Sequence, residues 1–199
     1  MLNIKEGEKA VVFARKVIEN FVKNKEPPEK PNEKFLQKRG IFVTIHTYPD
    51  HKLRGCIGVP LPTMPLRDAI VEGAKSATHD PRFLPLSEEE LDNIIVEVTI
   101  LTKPEEINVE RPKEYIKKIE IGRDGLIVEQ GFFKGLLLPQ VPVEQGWVKK
   151  EFLANTCLKA GLMPDAWLDE KTRIFKFRGQ VFSEVKPRGE IKEKKLNGS

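Results

Sequence analysis

The sequence predicts an α+β fold of mainly antiparallel sheet, built from a strand-strand-helix-strand unit whose element order recurs in the second half. Three observations carry this expectation. Ile41, Val43 and Ile45 alternate with Phe42, Thr44 and His46, and Tyr48-Pro49-Asp50 turns the chain into a second strand around Arg54 to Cys56. Apolar residues then recur at helical spacing from Leu66 to Ala74, and Ile94 to Leu101 is an apolar run of strand length. A length of 199 residues suits one compact domain. We place that domain at residues 1–185, with lobes at about 1–104 and 105–185 and a charged, mobile tail at 186–199.

Ala10, Phe13, Ala14, Val17, Ile18 and Phe21 share one helical face, so a first amphipathic helix is expected over about residues 6–23. Lys25 to Pro31 holds three prolines among charges and reads as a linker. After the hairpin, Thr63 is placed to cap the next helix and Pro65 suits its first turn, with an end near Thr78. Pro81 then keeps Asp80 out of helical geometry, making His79-Asp80-Pro81-Arg82 a polar loop. Ser87 and Glu90 form a capping-box pattern ahead of the Ile94–Leu101 strand.

The second half repeats this order without a residue-by-residue match. Gly122-Arg123-Asp124-Gly125 is a turn, and Leu126 to Glu129 and Leu136 to Gln140 read as strands around Gly131 and Gly135. Trp147, Val148, Phe152, Leu153, Cys157 and Ala160 form the stripe of a helix ending at Gly161, which makes Trp147 and Cys157 core residues. Residues 173–182 alternate as a last strand, with Phe175, Phe177 and Val181 on one face.

Chemistry concentrates in Leu53-Arg54-Gly55-Cys56-Ile57-Gly58. In an extended segment Arg54 and Cys56 share a face while Leu53 and Ile57 point into the core. A guanidinium beside a thiol favours thiolate, and the Gly55 and Gly58 amides can meet an anion, so Cys56 is a candidate nucleophile. The competing reading is a small buried hydrophobe at a glycine bend. Among His46, His51 and His79, we select His79 as the candidate base because it opens the polar loop, against the alternative that it caps a helix C-terminus. Asp80 and Arg82 could orient a base and bind an anion, or pair with each other and fix the loop. Gln140 and Glu144 are candidates for lining a cleft, with helix-start stabilisation as the alternative for Glu144.

The hexad is followed in order by Asp80-Pro81-Arg82-Phe83, Gly135-Leu136-Leu137-Leu138-Pro139-Gln140 and Asp165-Ala166-Trp167. Together these motifs resemble the AMMECR family over roughly residues 8–184, in its archaeal form. The resemblance implies an α+β fold with a repeated unit and no settled biochemical activity. It also implies a link to Memo-type and radical-SAM proteins, hence a shared modification pathway acting on RNA or protein. Two functions stay open. One is an enzyme or pathway component working through Cys56, Arg54 and His79. The other is a non-catalytic binding or regulatory module that uses the same cleft, with Arg54 as anchor and Cys56 as packing.

Composition narrows the remaining classes. Three scattered histidines and two cysteines give neither zinc spacing nor a disulfide framework, and no phosphate loop or dinucleotide fingerprint appears, so neither metal nor cofactor is expected. Pairing of Cys56 with Cys157 stays open on sequence alone. The net charge of +4 is spread along the chain, which gives RNA only weak support. Glutamate and lysine dominate the polar residues, an expectation of thermophilic origin, and the lack of a leader or long apolar run predicts a cytoplasmic protein.

Overall fold

The computed structural model describes residues 2–31 and 33–194 and contains two compact units. One runs to Leu101 and resumes at Gln180; the other is Thr102–Gly179. Its mixture of helices and antiparallel strand pairs is the α+β class expected.

In the first unit, helix α1 (Ile4–Val22) begins at Asn3, whose side chain accepts from the Glu6 amide while Glu6 accepts from the Asn3 amide. Strands β1 (Ile41–Thr47) and β2 (Leu53–Val59) form the expected hairpin. Helix α2 (Leu66–Ala77) follows, then strand β3 (Ile94–Leu101), which pairs with the other side of β1. Thr63 does not cap α2. The N-cap is Pro65, and the Thr63 hydroxyl turns back to the Leu61 carbonyl. Alternation sends Ile41, Val43 and Ile45, with their β3 partners Ile100, Val98 and Val96, to one side. There they pack with Ala14, Val17 and Ile18 of α1 and Ile70 and Ala74 of α2 into an apolar core.

In the second unit, β4 (Glu105–Glu106) precedes a short helix α3 (Tyr115–Lys118), and β5 (Gly125–Gln130) and β6 (Phe133–Leu137) form a hairpin. Next come α4 (Gln140–Glu144), α5 (Lys149–Lys159) and strand β7 (Arg173–Phe177), which pairs with β5. Leu126, Val128, Phe152, Leu153, Cys157, Trp167 and Ile174 form this unit's core, with Trp147 packed against it. The strand expected to reach Gln140 stops at Leu137, and Pro139 initiates α4 instead. Val148 is exposed and serves as the N-cap residue of α5, closed by the Glu151 carboxylate.

The stretch read as one last strand is two, β7 and β8 (Gly179–Glu184), lying in different sheets. The break at Arg178 carries the chain from the β4-β7-β5-β6 sheet into the β2-β1-β3-β8-β9 sheet. Its last strand, β9 (Ile191–Lys194), pairs with β8, so part of the segment read as a charged tail is sheet edge. A charged edge strand discourages pairing with other chains, which is why its sequence carried no strand signal. The rest of that segment, residues 195–199, lies outside the described residues.

Candidate functional site

Strand β2 is the edge of its sheet, so its outward backbone groups need partners. Pro81 ends any helical path after α2, and the chain folds back along that edge. The Asp80 carboxylate accepts from the Cys56 amide at 2.9 Å, and Arg82 Nη2 donates to the Cys56 carbonyl at 3.3 Å. Arg82 also grips Asp80 through Nε at 3.0 Å and Nη2 at 2.6 Å, and its own amide donates to the same carboxylate. Asp80 is buried. These donors, led by the Arg82 guanidinium, hold its carboxyl far below the usual aspartate range despite burial, which acts the other way.

Arg54 sits where strand alternation fails. Ile45 pairs with Gly55, but His46 pairs with Leu53, so Arg54 is the extra residue of a β-bulge. The bulge turns Leu53, expected in the core, to the exposed side, while Ile57 packs against the core as expected. Arg54 itself is engaged by another partner. Its Nε and Nη2 make a bidentate pair with Glu90 at 2.6 and 3.0 Å, and Nη2 reaches the Pro85 carbonyl at 3.3 Å. Glu90 simultaneously accepts from the Ser87 amide, so the capping box and the Arg54 clamp share one carboxylate. Phe83 lies against both cations, 5.9 Å from the Arg54 guanidinium carbon and 5.6 Å from that of Arg82.

Cys56 is half-buried and pairs across β1 with Thr44, which pairs in turn with Glu97 of β3. The Thr44 hydroxyl donates to its sulfur at 3.3 Å. Burial pushes the thiol above its ordinary range, and Glu97 and Asp80 push the same way; the Thr44 bond and the Arg82 charge oppose them without prevailing. Cys56 and Cys157 are both free thiols. Cys157 lies in the core of its unit and burial raises it to about 11.

The structure therefore divides the residues singled out in the sequence. Cys56, Asp80 and Arg82 come together, whereas Arg54 is clamped to Glu90. His79 is exposed; its Nδ1 shares a 2.8 Å hydrogen bond with the Thr78 hydroxyl and its ring stands edge-on to Phe21 of α1. Gly55 and Gly58 are close-approach positions. A Cβ on Gly55 would lie 2.2 Å from the Ala77 carbonyl oxygen, and one on Gly58 would lie 2.3 Å from that of Ile41. Gln140 and Glu144 open and close α4, with Gln140 Oε1 buried and unpartnered and Glu144 exposed. Glu144 does not start α5, where Glu151 supplies the first-turn acid.

Sequence reasoning missed Thr44, Phe83, Glu90 and Glu97. Glu97 carried the clearest signal, as the lone carboxylate inside the apolar run of β3. His46, set aside in favour of His79, lies on the Thr44 and Glu97 face with Nδ1 unpartnered, and burial lowers its affinity for a proton. Among the described residues no cluster of His, Cys, Asp or Glu is arranged to hold a metal ion, and no helix is long and apolar enough to cross a membrane.

The AMMECR1 family model matches residues 11–182, a span containing the hexad, its Asp80–Phe83 clamp and both hairpins. The chain belongs to the AMMECR1 family. A protein of Methanocaldococcus jannaschii is 59% identical over 98% of each chain. One from Methanopyrus kandleri is 50% identical, covering 98% of this chain and 96% of its own. The crystal structure of an uncharacterized protein from Pyrococcus horikoshii superposes with a TM-score of 0.85 at 49% identity, over 98% of each chain. These AMMECR1 relatives fix the family and the fold and carry no stated activity.

Proposed function

We propose that this chain is a non-catalytic binding module whose recognition element is the Asp80–Leu84 loop, held rigidly against the edge of β2. The observation that carries this reading is that Arg54, Arg82 and His79 are each engaged by another partner, while burial weakens His46, whose Nδ1 is unpartnered, as a base. Arg54 is neutralised by Glu90, Arg82 by Asp80, and His79 bonds Thr78. A thiol raised by burial and facing Glu97 and Asp80 is a poor nucleophile near neutral pH.

What the loop offers is a surface. The Arg82 side chain is 55% exposed, Leu84 is 83% exposed, and the Phe83 ring lies beside two guanidinium groups, 5.9 Å from that of Arg54 and 5.6 Å from that of Arg82. An apolar residue beside a fixed aromatic and an arginine is the composition of an interface anchor. The enzyme reading of the same residues needs a thiolate, and the environment of Cys56 works against one.

The test is the pH dependence of iodoacetamide alkylation, read separately at Cys56 and Cys157 by peptide mass spectrometry. The binding-module reading expects a Cys56 midpoint above the free-thiol value of about 8.5, with Cys157 modified later still. A Cys56 midpoint well below that value would refute it and return the site to nucleophilic chemistry.

A further inference from the structure

A separate concavity lies on the outer side of α1. Residues 27–31 run as an irregular strap alongside the helix and enclose a groove of about 700 Å³. The strap is tethered rather than loose. The Asn20 side chain donates to the Glu26 carbonyl at 2.6 Å, Lys30 pairs with Asp68 of α2 at 2.8 Å, and Lys34 pairs with Glu6 at 2.6 Å.

The helix wall of the groove carries Lys5, Lys9 and Lys16 around Val12, which is 45% exposed; Pro28 and Pro31 supply the facing apolar surface. Among the described residues, none of these three lysines has a carboxylate within ion-pair distance, unlike Lys30 and Lys34. Lys5 and Lys16 are eleven positions apart, a rise of about 16 Å along the helix, which matches roughly five residues of extended chain.

We infer that this groove docks an extended acidic peptide segment carrying one apolar side chain, with its carboxylates on Lys5, Lys9 and Lys16 and the apolar group on Val12, Pro28 and Pro31. Three features select that partner. Pro28 and Pro31 have no N–H and cannot extend a sheet ladder, so recognition falls to side chains. Lysines are mobile point charges that accept irregularly spaced carboxylates without the fixed geometry a guanidinium demands. Glu8 and Glu29 also line the groove and would repel a uniform polyphosphate, whereas a peptide can set an amide or a basic side chain against them. The groove is distinct from the Cys56 loop, and its test is independent of that reading.

The experiment is phage selection of short peptides on the full chain, followed by fluorescence anisotropy of the winners against the native protein, Lys9→Glu/Lys16→Glu and Val12→Asp. All three altered positions are exposed, and circular dichroism melts check folding. The expected result is enrichment of Asp and Glu around one apolar residue, with affinity falling at least about tenfold in each variant and falling with salt. Selected peptides without acidic enrichment, binding indifferent to both variants, or equal binding of single-stranded DNA would overturn the inference.

Discussion

The two units place a glycine at the same step of the same hairpin, yet only the first surrounds it with charge. Strand order is β2-β1-β3 in one sheet and β6-β5-β7 in the other, with the helix between the hairpin and the third strand in both. Gly55 is the third residue of β2 and Gly135 the third of β6. Each lies where the strand meets the end of its helix. A Cβ on Gly55 would strike the Ala77 carbonyl oxygen at 2.2 Å, and one on Gly135 would strike the Ala160 amide nitrogen at 2.4 Å. Around these anchors the residues correspond: Leu53-Arg54-Gly55-Cys56 with Phe133-Lys134-Gly135-Leu136, and the Ala77, Asp80, Pro81 positions with Ala160, Met163, Pro164. The packing device is common to both units, whereas the thiol, the carboxylate and the Asp80–Arg82 clamp belong to one.

The largest expected difference concerns buried charge. In the first unit Arg15 and Glu184 are 6% and 3% exposed in their side chains and meet at 2.5 Å, with Arg15 also donating to the Leu91 and Ile94 carbonyls and Glu184 accepting from the Val96 amide. In the second, Asp124 is buried, but its partners Arg123 and Arg178 are 40% and 50% exposed. Glu184→Ala should therefore cost about 3–5 kcal/mol, because Arg15 cannot reach water. Asp124→Ala should cost less, about 1–3 kcal/mol, because its arginines rehydrate. Urea unfolding checks both; an equal or reversed order would remove the contrast.

The next effect separates the clamps. Asp80→Asn removes a charged acceptor from the Cys56 amide and from Arg82, an expected loss of about 1.5–3 kcal/mol at neutral pH. The pH dependence has a definite sign. The Asp80 carboxyl is depressed in the folded state, so its contribution is complete above the unfolded value of about 3.9 and is lost as pH falls through the lower folded value. Native stability should decline below about pH 4 more steeply than that of Asp80→Asn, measured by thermal melts across that window. Parallel curves would show that the carboxylate is not what fastens this loop. Met163, at the corresponding place in the second unit, cannot titrate, so Met163→Asn should leave the acid limb unchanged.

The core was legible because it rests on period. Ile41, Val43 and Ile45 and the α1 stripe from Ala10 to Ile18 were readable from alternation and helical spacing and are buried together. The candidate site was less legible because a single bulge at Arg54 inverts the face of Leu53 and sends the guanidinium to Glu90, a residue whose sequence signal was a helix cap. Edge strands were harder still. β9 reads as a charged tail, since its pairing comes from backbone groups that carry no side-chain signature. The repeat was legible only as element order, because what recurs at the level of residues is a contact, Gly against Ala across about twenty intervening residues, rather than a pattern of polarity.

That contact also gives the sharpest test of the comparison. If Gly55 and Gly135 do the same work, Gly55→Ala and Gly135→Ala should destabilise by similar amounts, about 1–3 kcal/mol each, because in both the new methyl meets helix backbone that cannot rotate aside. Gly131→Ala is the control for lost backbone freedom alone: its φ is 58° and nothing lies within 4 Å of an added Cβ. It should cost less than either anchor, through left-handed strain without a clash. Denaturant midpoints of the three variants settle the order. Should Gly135→Ala behave like Gly131→Ala while Gly55→Ala is severe, the close approach would be a property of the first unit, and its glycine would belong with Cys56, Asp80 and Arg82 rather than with the scaffold.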